Sequence, residues 1–482
     1  MRTFAILALL LALTGVAHAD DDARLDELEK RAKALEEEAA KLRKDIEELR
    51  RKPALPEGVL WQFDLKSDLK GSGAFADLDG DNKPEIVFGT YFGEQHLFCV
   101  KAATGEVTWK FKSDAGPLDA SVAIYDLDGD GKLEVMSADS SSGHFYNIAP
   151  DGTLRWKFKL PNSTDSPVAV ADLDGDGTLE FVIGSMWLGD GKGTISCYSA
   201  KEQKLLWERK YKGCIQSEPV LTDLNGDKVL DVIISTWRGD HGIHAINGKD
   251  GEALWTFTTA GDDKSMGMYH GVALSQDEKT IYMATCQGDV YALDQKGNQV
   301  WTKHYDDYLF APITVGDINA DGKDELVFGG RNLYCLAAAD GNQLWKVKLQ
   351  GGLDRGVAFC DADGDGKLDV LFHDRCAVVA VGGSDGREVF RFDAGFKGAQ
   401  WEEISSAPLV GDFDRDGKLE CFVVVGVGTS TDNFKGNYGR AMAIKLKGSG
   451  PGWSTFRGNH RRTGHVKHAD PTAPRKIPIR HR

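Results

Sequence analysis

An acidic motif, D-x-D-x-D-G-x-x-E/D, constrains this chain most, because it returns seven times between short apolar runs. Its copies are Asp77, Asp79, Asp81 with Glu85; Asp126, Asp128, Asp130 with Glu134; Asp172, Asp174, Asp176 with Glu180; and Asp223, Asn225, Asp227 with Asp231. Three more follow: Asp317, Asn319, Asp321 with Glu325; Asp361, Asp363, Asp365 with Asp369; and Asp412, Asp414, Asp416 with Glu420. Between the fourth and fifth copies, residues 271–282 keep the apolar runs without the acidic motif. A second signature, a tight turn followed by an apolar residue and Trp, recurs at Trp61, Trp109, Trp156, Trp207, Trp255, Trp301 and Trp345, with Phe390 in the eighth place. With the degenerate unit counted, both signatures come to eight, at a period of 43 to 51 residues that suits propeller blades.

Each unit reads as four short strands, for example Ser121–Tyr125, Leu133–Ala138, Phe145–Ala149 and Leu154–Phe158, separated by turn residues. The spacing predicts an all-β fold, an eight-bladed β-propeller of four-stranded blades over residues 59–448. The first Trp run, Leu60–Leu65, stands before any acidic loop, whereas the eighth unit lacks a last strand. The ring is therefore expected to close by lending the N-terminal strand to the final blade, which protects the sheet edges.

Carboxylates at loop positions 1, 3, 5 and 9 converge only if the chain folds tightly around one point, and a hard cation with oxygen ligands favours that convergence. Glycine at position 6 allows the sharp turn. The first loop has Asn82 there, and the fourth has Lys228 together with Asn225 at position 3, which makes the fourth the weakest site. An EF-hand would put its bidentate acid at position 12 between helices; these flanks are strands. The expectation is up to seven structural Ca2+ sites.

Ahead of the repeats, residues 1–19 read as a secretory signal: Arg2, an apolar run from Phe4 to Leu13, and the small-x-small site Ala17-His18-Ala19. The mature chain is expected to be secreted or periplasmic and not membrane-spanning. Residues 20–52 carry a heptad with Leu25, Ala32, Ala39 and Ile46 at a, and Leu28, Leu35, Leu42 and Leu49 at d. In a parallel pair, g faces e as Arg24–Glu29, Arg31–Glu36, Glu38–Arg43 and Asp45–Arg50, all opposite in sign. This predicts an α-helical coiled coil and a parallel homo-oligomer, dimer before trimer; a lone amphipathic helix is the alternative. Residues 53–58, with Pro53 and Pro56, form a linker, and 449–482 a C-terminal tail whose basic end after Gly464 reads as disordered.

The net charge of −16 argues against nucleic acid, which demands clustered Lys and Arg. Eight cysteines, at 99, 197, 214, 286, 335, 360, 376 and 421, form no C-x-x-C pair and fall mostly in apolar strands. Buried thiols are the favoured reading, although export would permit disulfides.

The acidic loops resemble the FG-GAP/VCBS repeats of calcium-binding propellers such as the integrin α-subunit head. The Trp strands resemble those of quinoprotein-like propellers, including the outer-membrane assembly lipoprotein family. The likeness covers about residues 59–447, and Trp453–Gly464 resembles a W-x-x-F-R-G…T-G segment that in the quinoprotein-like group usually precedes the repeats. Quinone-dependent dehydrogenases of that group carry a vicinal cysteine pair against the cofactor; this chain has none, so no PQQ is expected.

Function in propellers gathers on loops at one face. Opposite the acidic turns the sequence places Tyr91, Trp187, Trp237, Arg238, His241, His270, Arg331, Arg355, His373, Arg375, Trp401, Glu402 and Glu403. Aromatics mixed with Arg, His and Glu suit an extracellular protein or glycan ligand. The leading expectation is a binding or scaffold protein rather than an enzyme. The alternative is a polysaccharide-active enzyme of lyase type, with His270, His373, Arg355 and Glu403 as acid–base candidates.

Overall fold

The computed structural model describes residue 28 and residues 30–43, 55–186, 191–261, 266–429, 435–459 and 461–465. The signal segment lies outside them, as do Trp187 and the chain beyond His465. Two units separate, Met1–Pro56 and Glu57–Arg482. In the first, residues 30–43 form an α-helix on which Leu35 and Leu42 of the heptad are 65% and 55% exposed. The helix accords with the heptad pattern, and pairing would involve a second chain.

In the second unit the strands form eight antiparallel sheets of four strands each. Seven sheets run in chain order; the eighth joins Val59–Leu65 to Tyr438–Lys445, Glu420–Val427 and Leu409–Gly411. The ring thus closes as expected, with the first strand completing the last blade. The blade without acids is present too, as Ala273–Leu274, Thr280–Ala284, Asp289–Asp294 and Gln299–His304.

Within each blade the middle strands are buried along most of their length, and Glu85–Gly89 along all of it, while the outermost strands alternate, as in Val107–Lys112. That alternation is the period-two pattern of a strand with one wet face. Cores lie between neighbouring blades: Phe88 and Phe98 of the first pack with Phe422 of the eighth.

The Trp and Gly of the second signature meet across the blade boundary. The indole N–H of Trp61 donates to Ala102 O of the next blade, Trp109 to Pro150 O, Trp207 to Gly248 O, and Trp345 to Gly383 O. The turn glycine lies flat under the ring of the preceding Trp: a Cβ on Gly105 would stand 2.5 Å from Trp61, and the glycine's φ is +69°. Only glycine meets both conditions comfortably. In the third blade the equivalent turn has Gln203 at φ +54° instead. Each such contact combines ring burial, about 1.5–3 kcal/mol, with a hydrogen bond of about 1 kcal/mol.

Candidate functional site

Every acidic loop joins the innermost strand of its blade to the next. Position 9 is the first residue of that second strand, paired with the last residue of the inner strand: Ala76 opposes Glu85, Tyr125 opposes Glu134, and Gly411 opposes Glu420. One oxygen of the position-9 acid accepts the N–H of position 2 in all seven loops, from Leu78–Glu85 at 3.0 Å to Phe413–Glu420 at 2.8 Å. The position-1 aspartate accepts the N–H of position 6, as in Asp77–Asn82 at 3.0 Å. Position 6 is left-handed throughout, including Asn82 at φ +64° and Lys228 at φ +73°. Lys228 therefore folds like a glycine, at a cost of about 1–2 kcal/mol.

In five loops the geometry brings three carboxylates within 4.8 Å of one another: Asp77, Asp79, Glu85; Asp126, Asp128, Glu134; Asp172, Asp174, Glu180; Asp361, Asp363, Asp365; and Asp412, Asp414, Glu420. Buried oxygens are left without a donor, among them Glu420 Oε1, Asp412 Oδ1 and Asp126 Oδ1. An acceptor-only cluster with orphaned buried oxygens fits a hard cation. Burial first, and then the neighbouring aspartates, pushes Glu85, Glu180 and Glu420 up to about 7 against the opposing backbone N–H.

The other two loops carry Asn at position 3, and among the described residues they form no such three-acid group. In the fifth loop Asn319 Nδ2 donates to Glu325 Oε1 at 2.9 Å, so an amide meets the oxygen whose counterpart on Glu420 has no donor. The second loop has a cation of its own: the Arg155 guanidinium reaches Glu134 and, at 2.6 Å, Asp128. At the matching place before the ring residue the other acidic blades have Thr108, Leu206, Leu254, Leu344, Val389 and Leu60.

At the opposite end of the inner strands lies the channel mouth. Seven residues before each first loop carboxylate stand Lys70, Asp119, Asp165, Gln216, Phe310, Asp354 and Ser405, one in each of the seven blades with an acidic loop. Gln216 Nε2 donates to Asp165 Oδ2 at 2.6 Å, and the Tyr269 hydroxyl lies 3.5 Å from the same oxygen. The Arg355 guanidinium sits over the Tyr269 ring at 5.6 Å and feels Asp165, Asp354 and Asp119. Lys70 bridges Asp68 at 2.9 Å and Glu403 at 3.2 Å, tying the first blade to the eighth. Burial, then the charge of Asp165, raises Asp119 well above the ordinary aspartate range.

Of the residues singled out in the sequence, Tyr91, His270, Arg355 and Glu403 come together at this mouth, with Trp237 edge-on to Tyr269 at 5.6 Å. His373 does not join them: it is buried against Ser406 O at 2.7 Å, and burial lowers it to about 4. Arg331 holds Asp307, Arg375 reaches Gln400 O, and Glu402 caps the N–H groups of Lys397 and Gly398. Trp401 is 73% exposed. The acids Asp119, Asp165 and Asp354 were not singled out, although their constant distance from the acidic loops marks them.

Part of the segment read as a tail, residues 453–459 and 461–465, forms the floor of this channel. Trp453 pairs with Val410; Ser454 O accepts from Phe75 N, Arg461 O from Leu221 N, Thr463 O from Leu274 N, and Gly464 O from Val315 N. These bonds fall on inner strands of five blades. Arg457 and Arg462 are 3% and 0% exposed. Arg457 donates to Val272 O and Ile313 O and pairs with Glu218 at 3.1 Å, while Arg462 donates to Val168 O at 3.0 Å. Glu218 in turn meets His270 at 3.4 Å, and His270 Nε2 lies 3.1 Å from Asp354 O. Residues 453–465 are thus a plug within the propeller. Free inner-strand N–H groups along the channel supply the reason for its docking, since buried donors demand partners.

Comparison with known proteins agrees with this architecture. A family profile described as outer membrane protein assembly factor BamB matches residues 141–308, and one for the lambda-carrageenase beta-propeller domain matches residues 280–353. Tetrathionate hydrolase of Acidithiobacillus ferrooxidans is 26% identical over 121 residues, 24% of this chain and 22% of that protein, so the match spans about a fifth of its length. Yeast (Saccharomyces cerevisiae) Sqt1 superposes with a TM-score of 0.59 at 12% identity, over 81% of this chain and 100% of its own. A europium-containing methanol dehydrogenase gives 0.58 at 11%, over 80% and 93%. The quinohemoprotein alcohol dehydrogenase ADHIIG of Pseudomonas putida HK5 gives 0.55 at 12%, over 82% and 76%. At such identities the likeness defines the fold, an eight-bladed propeller with quinoprotein-like repeats. Fold alone does not fix activity.

Proposed function

We propose that this chain is an exported, calcium-stabilised β-propeller acting as a binding or scaffold protein, with a protein or glycan ligand held at the plugged channel mouth. The observation that supports it most is the division of the inner strands: in seven blades an acidic loop at one end and a mouth residue at the other, with the plug bonded to five of the eight between. In this reading Ca2+ is held by the carboxylates at positions 1, 3, 5 and 9, most firmly in the first, third, sixth and seventh loops. The ion would offset the repulsion of acids that otherwise face one another across a few ångström. Extracellular sites bind calcium with Kd of ~10⁻⁴–10⁻³ M, and at millimolar calcium the tighter end contributes ~1.4 kcal/mol per site. Several sites together rival the ~5–15 kcal/mol stability of a whole domain.

Residues 20–52 would pair as a parallel coiled coil, presenting two mouths at once and raising avidity. Residues 1–19 would direct export. Among the described residues no helix is long and apolar enough to cross a membrane.

The test is retention of the mature protein on a panel of immobilised polysaccharides and envelope proteins, in calcium and then in EDTA, with melting followed in parallel. Calcium-dependent retention with a lower melting temperature in EDTA is the expected result. An unchanged melting temperature would refute the structural calcium, and release of new reducing or unsaturated ends would make the protein an enzyme.

A further inference from the structure

The mouth is short of donors. Asp119 Oδ1, Asp165 Oδ1 and Gln216 Oε1 are buried and unpartnered, although Asp119 and Gln216 are only 9% and 6% exposed. Gln216 is no acid; its amide donates to Asp165 and leaves its own oxygen open beside it. Buried acceptors without donors are costly, about 1–3 kcal/mol each, and such groups call for a ligand that donates. The same space holds donors of its own in Arg355 and the Tyr91 and Tyr269 hydroxyls. A bare divalent ion would meet about twice the repulsion from Arg355 that a single ammonium meets, and it brings no N–H or O–H donor. A lysine side chain would bring a long apolar stem to polar walls. A sugar ring both donates and accepts, and an amino group on it meets the carboxylates.

We propose that the channel mouth binds a positively charged amino sugar, its ammonium between Asp119 and Asp165 and its hydroxyls on Gln216, Asp354 and Arg355. This rests on the reading of the mouth as the ligand site and specifies the chemistry recognised there. The floor is part of the site: Arg457 and Glu218 hold His270, whose ring lies against the backbone of Asp354.

The experiment is calorimetric titration of the mature protein, in millimolar calcium, with a glucosamine pentamer, its fully N-acetylated counterpart and a lysine-rich peptide. Expected is binding of the glucosamine pentamer, at least about tenfold weaker binding of the acetylated one, and a loss of about tenfold or more in D165N and in Q216L. D119N serves as a second probe should either variant unfold by circular dichroism, and V300A, on the exposed outermost strand Gln299–His304, should bind as the parent does. Equal binding of both pentamers, lost in Q216L, would overturn the ammonium while leaving the mouth a glycan site. Preference for the peptide would overturn the sugar. Failure of all three to bind would overturn this proposal, and retention of a different ligand on the panel would then keep the broader one.

Discussion

Arg457 and Glu218 form a buried ion pair that joins the plug to the fourth blade, with side chains 2% and 1% exposed. Removing one partner leaves the other charge in a place water does not reach, which typically costs 3–5 kcal/mol. R457M should fall near the lower end, about 3 kcal/mol, because Arg462 also lies close enough for its charge to be felt at Glu218. E218Q should cost a similar amount, since it leaves Arg457 with only the neutral carbonyls of Val272 and Ile313. The double variant R457M/E218Q leaves neither member of the pair behind, only Arg462 on its carbonyls, so it should cost about 2–3 kcal/mol less than the two single costs combined. Urea unfolding in saturating calcium, followed by the fluorescence of the blade tryptophans, measures all four proteins. Additivity to within about 0.5 kcal/mol would mean that the two groups do not interact. A cost below about 1 kcal/mol for R457M would refute the plug as a stabilising part of the ring.

The same pair predicts an acid limb. Burial alone would raise Glu218, but the hydrogen bond with His270 and the charge of Arg457 outweigh it and bring it down to about 2. A depressed carboxyl contributes stability above its unfolded value near 4.5, lost as pH falls toward 2, so the gap between wild type and E218Q should narrow over that window; the shift corresponds to about 3 kcal/mol. K228G should stabilise the protein by about 1 kcal/mol in a thermal melt, because position 6 of the fourth loop is left-handed; a destabilised variant would show that Lys228 makes a contact that outweighs its strain. All eight cysteines are free, and Cys376 alone is not fully buried. Native thiol labelling should therefore modify Cys376 first, with the rest reacting only on unfolding; fast reaction of two or more would contradict the packing.

The blade count, the four-stranded units and the closing strand were legible because each rests on local chemistry repeated at a fixed distance. Trp61 and Gly105 are far apart in the chain, yet the turn demands glycine and the ring demands a flat partner, so the two recur together. The acidic loops were legible for the same reason. The mouth was harder: Asp119, Asp165 and Asp354 have no shared residue type with Gln216 and Phe310, only a shared distance from the next loop. The plug was harder still. Its W-x-x-F-R-G…T-G pattern stands out only by resemblance, and nothing local shows that Arg457 and Arg462 are taken up by carbonyls and by Glu218, more than two hundred residues earlier in the chain. Long-range satisfaction of donors is what a repeat pattern does not encode.

Differences among the loops follow from one balance, negative charge against whatever neutralises it. Among the described residues Asp172, Asp174 and Glu180 have no ion-pair partner, so in the proposed reading the demand falls to an outside ion. Asn319 removes one charge and donates to Glu325, which lowers the demand. Arg155 meets it from within, where the other acidic blades have Thr or an aliphatic residue. The blade without acids dispenses with the arrangement: Ser275 Oγ donates to Asp277 and accepts the N–H groups of Lys279 and Thr280. Its Glu278 pairs instead with Arg461 of the plug at 2.5 Å. The plug thus docks by a salt bridge at the one blade whose loop makes no claim on a cation. A ring with calcium at every blade would leave Arg461 facing like charge there; the degenerate repeat is the place where the plug's own cation stands in.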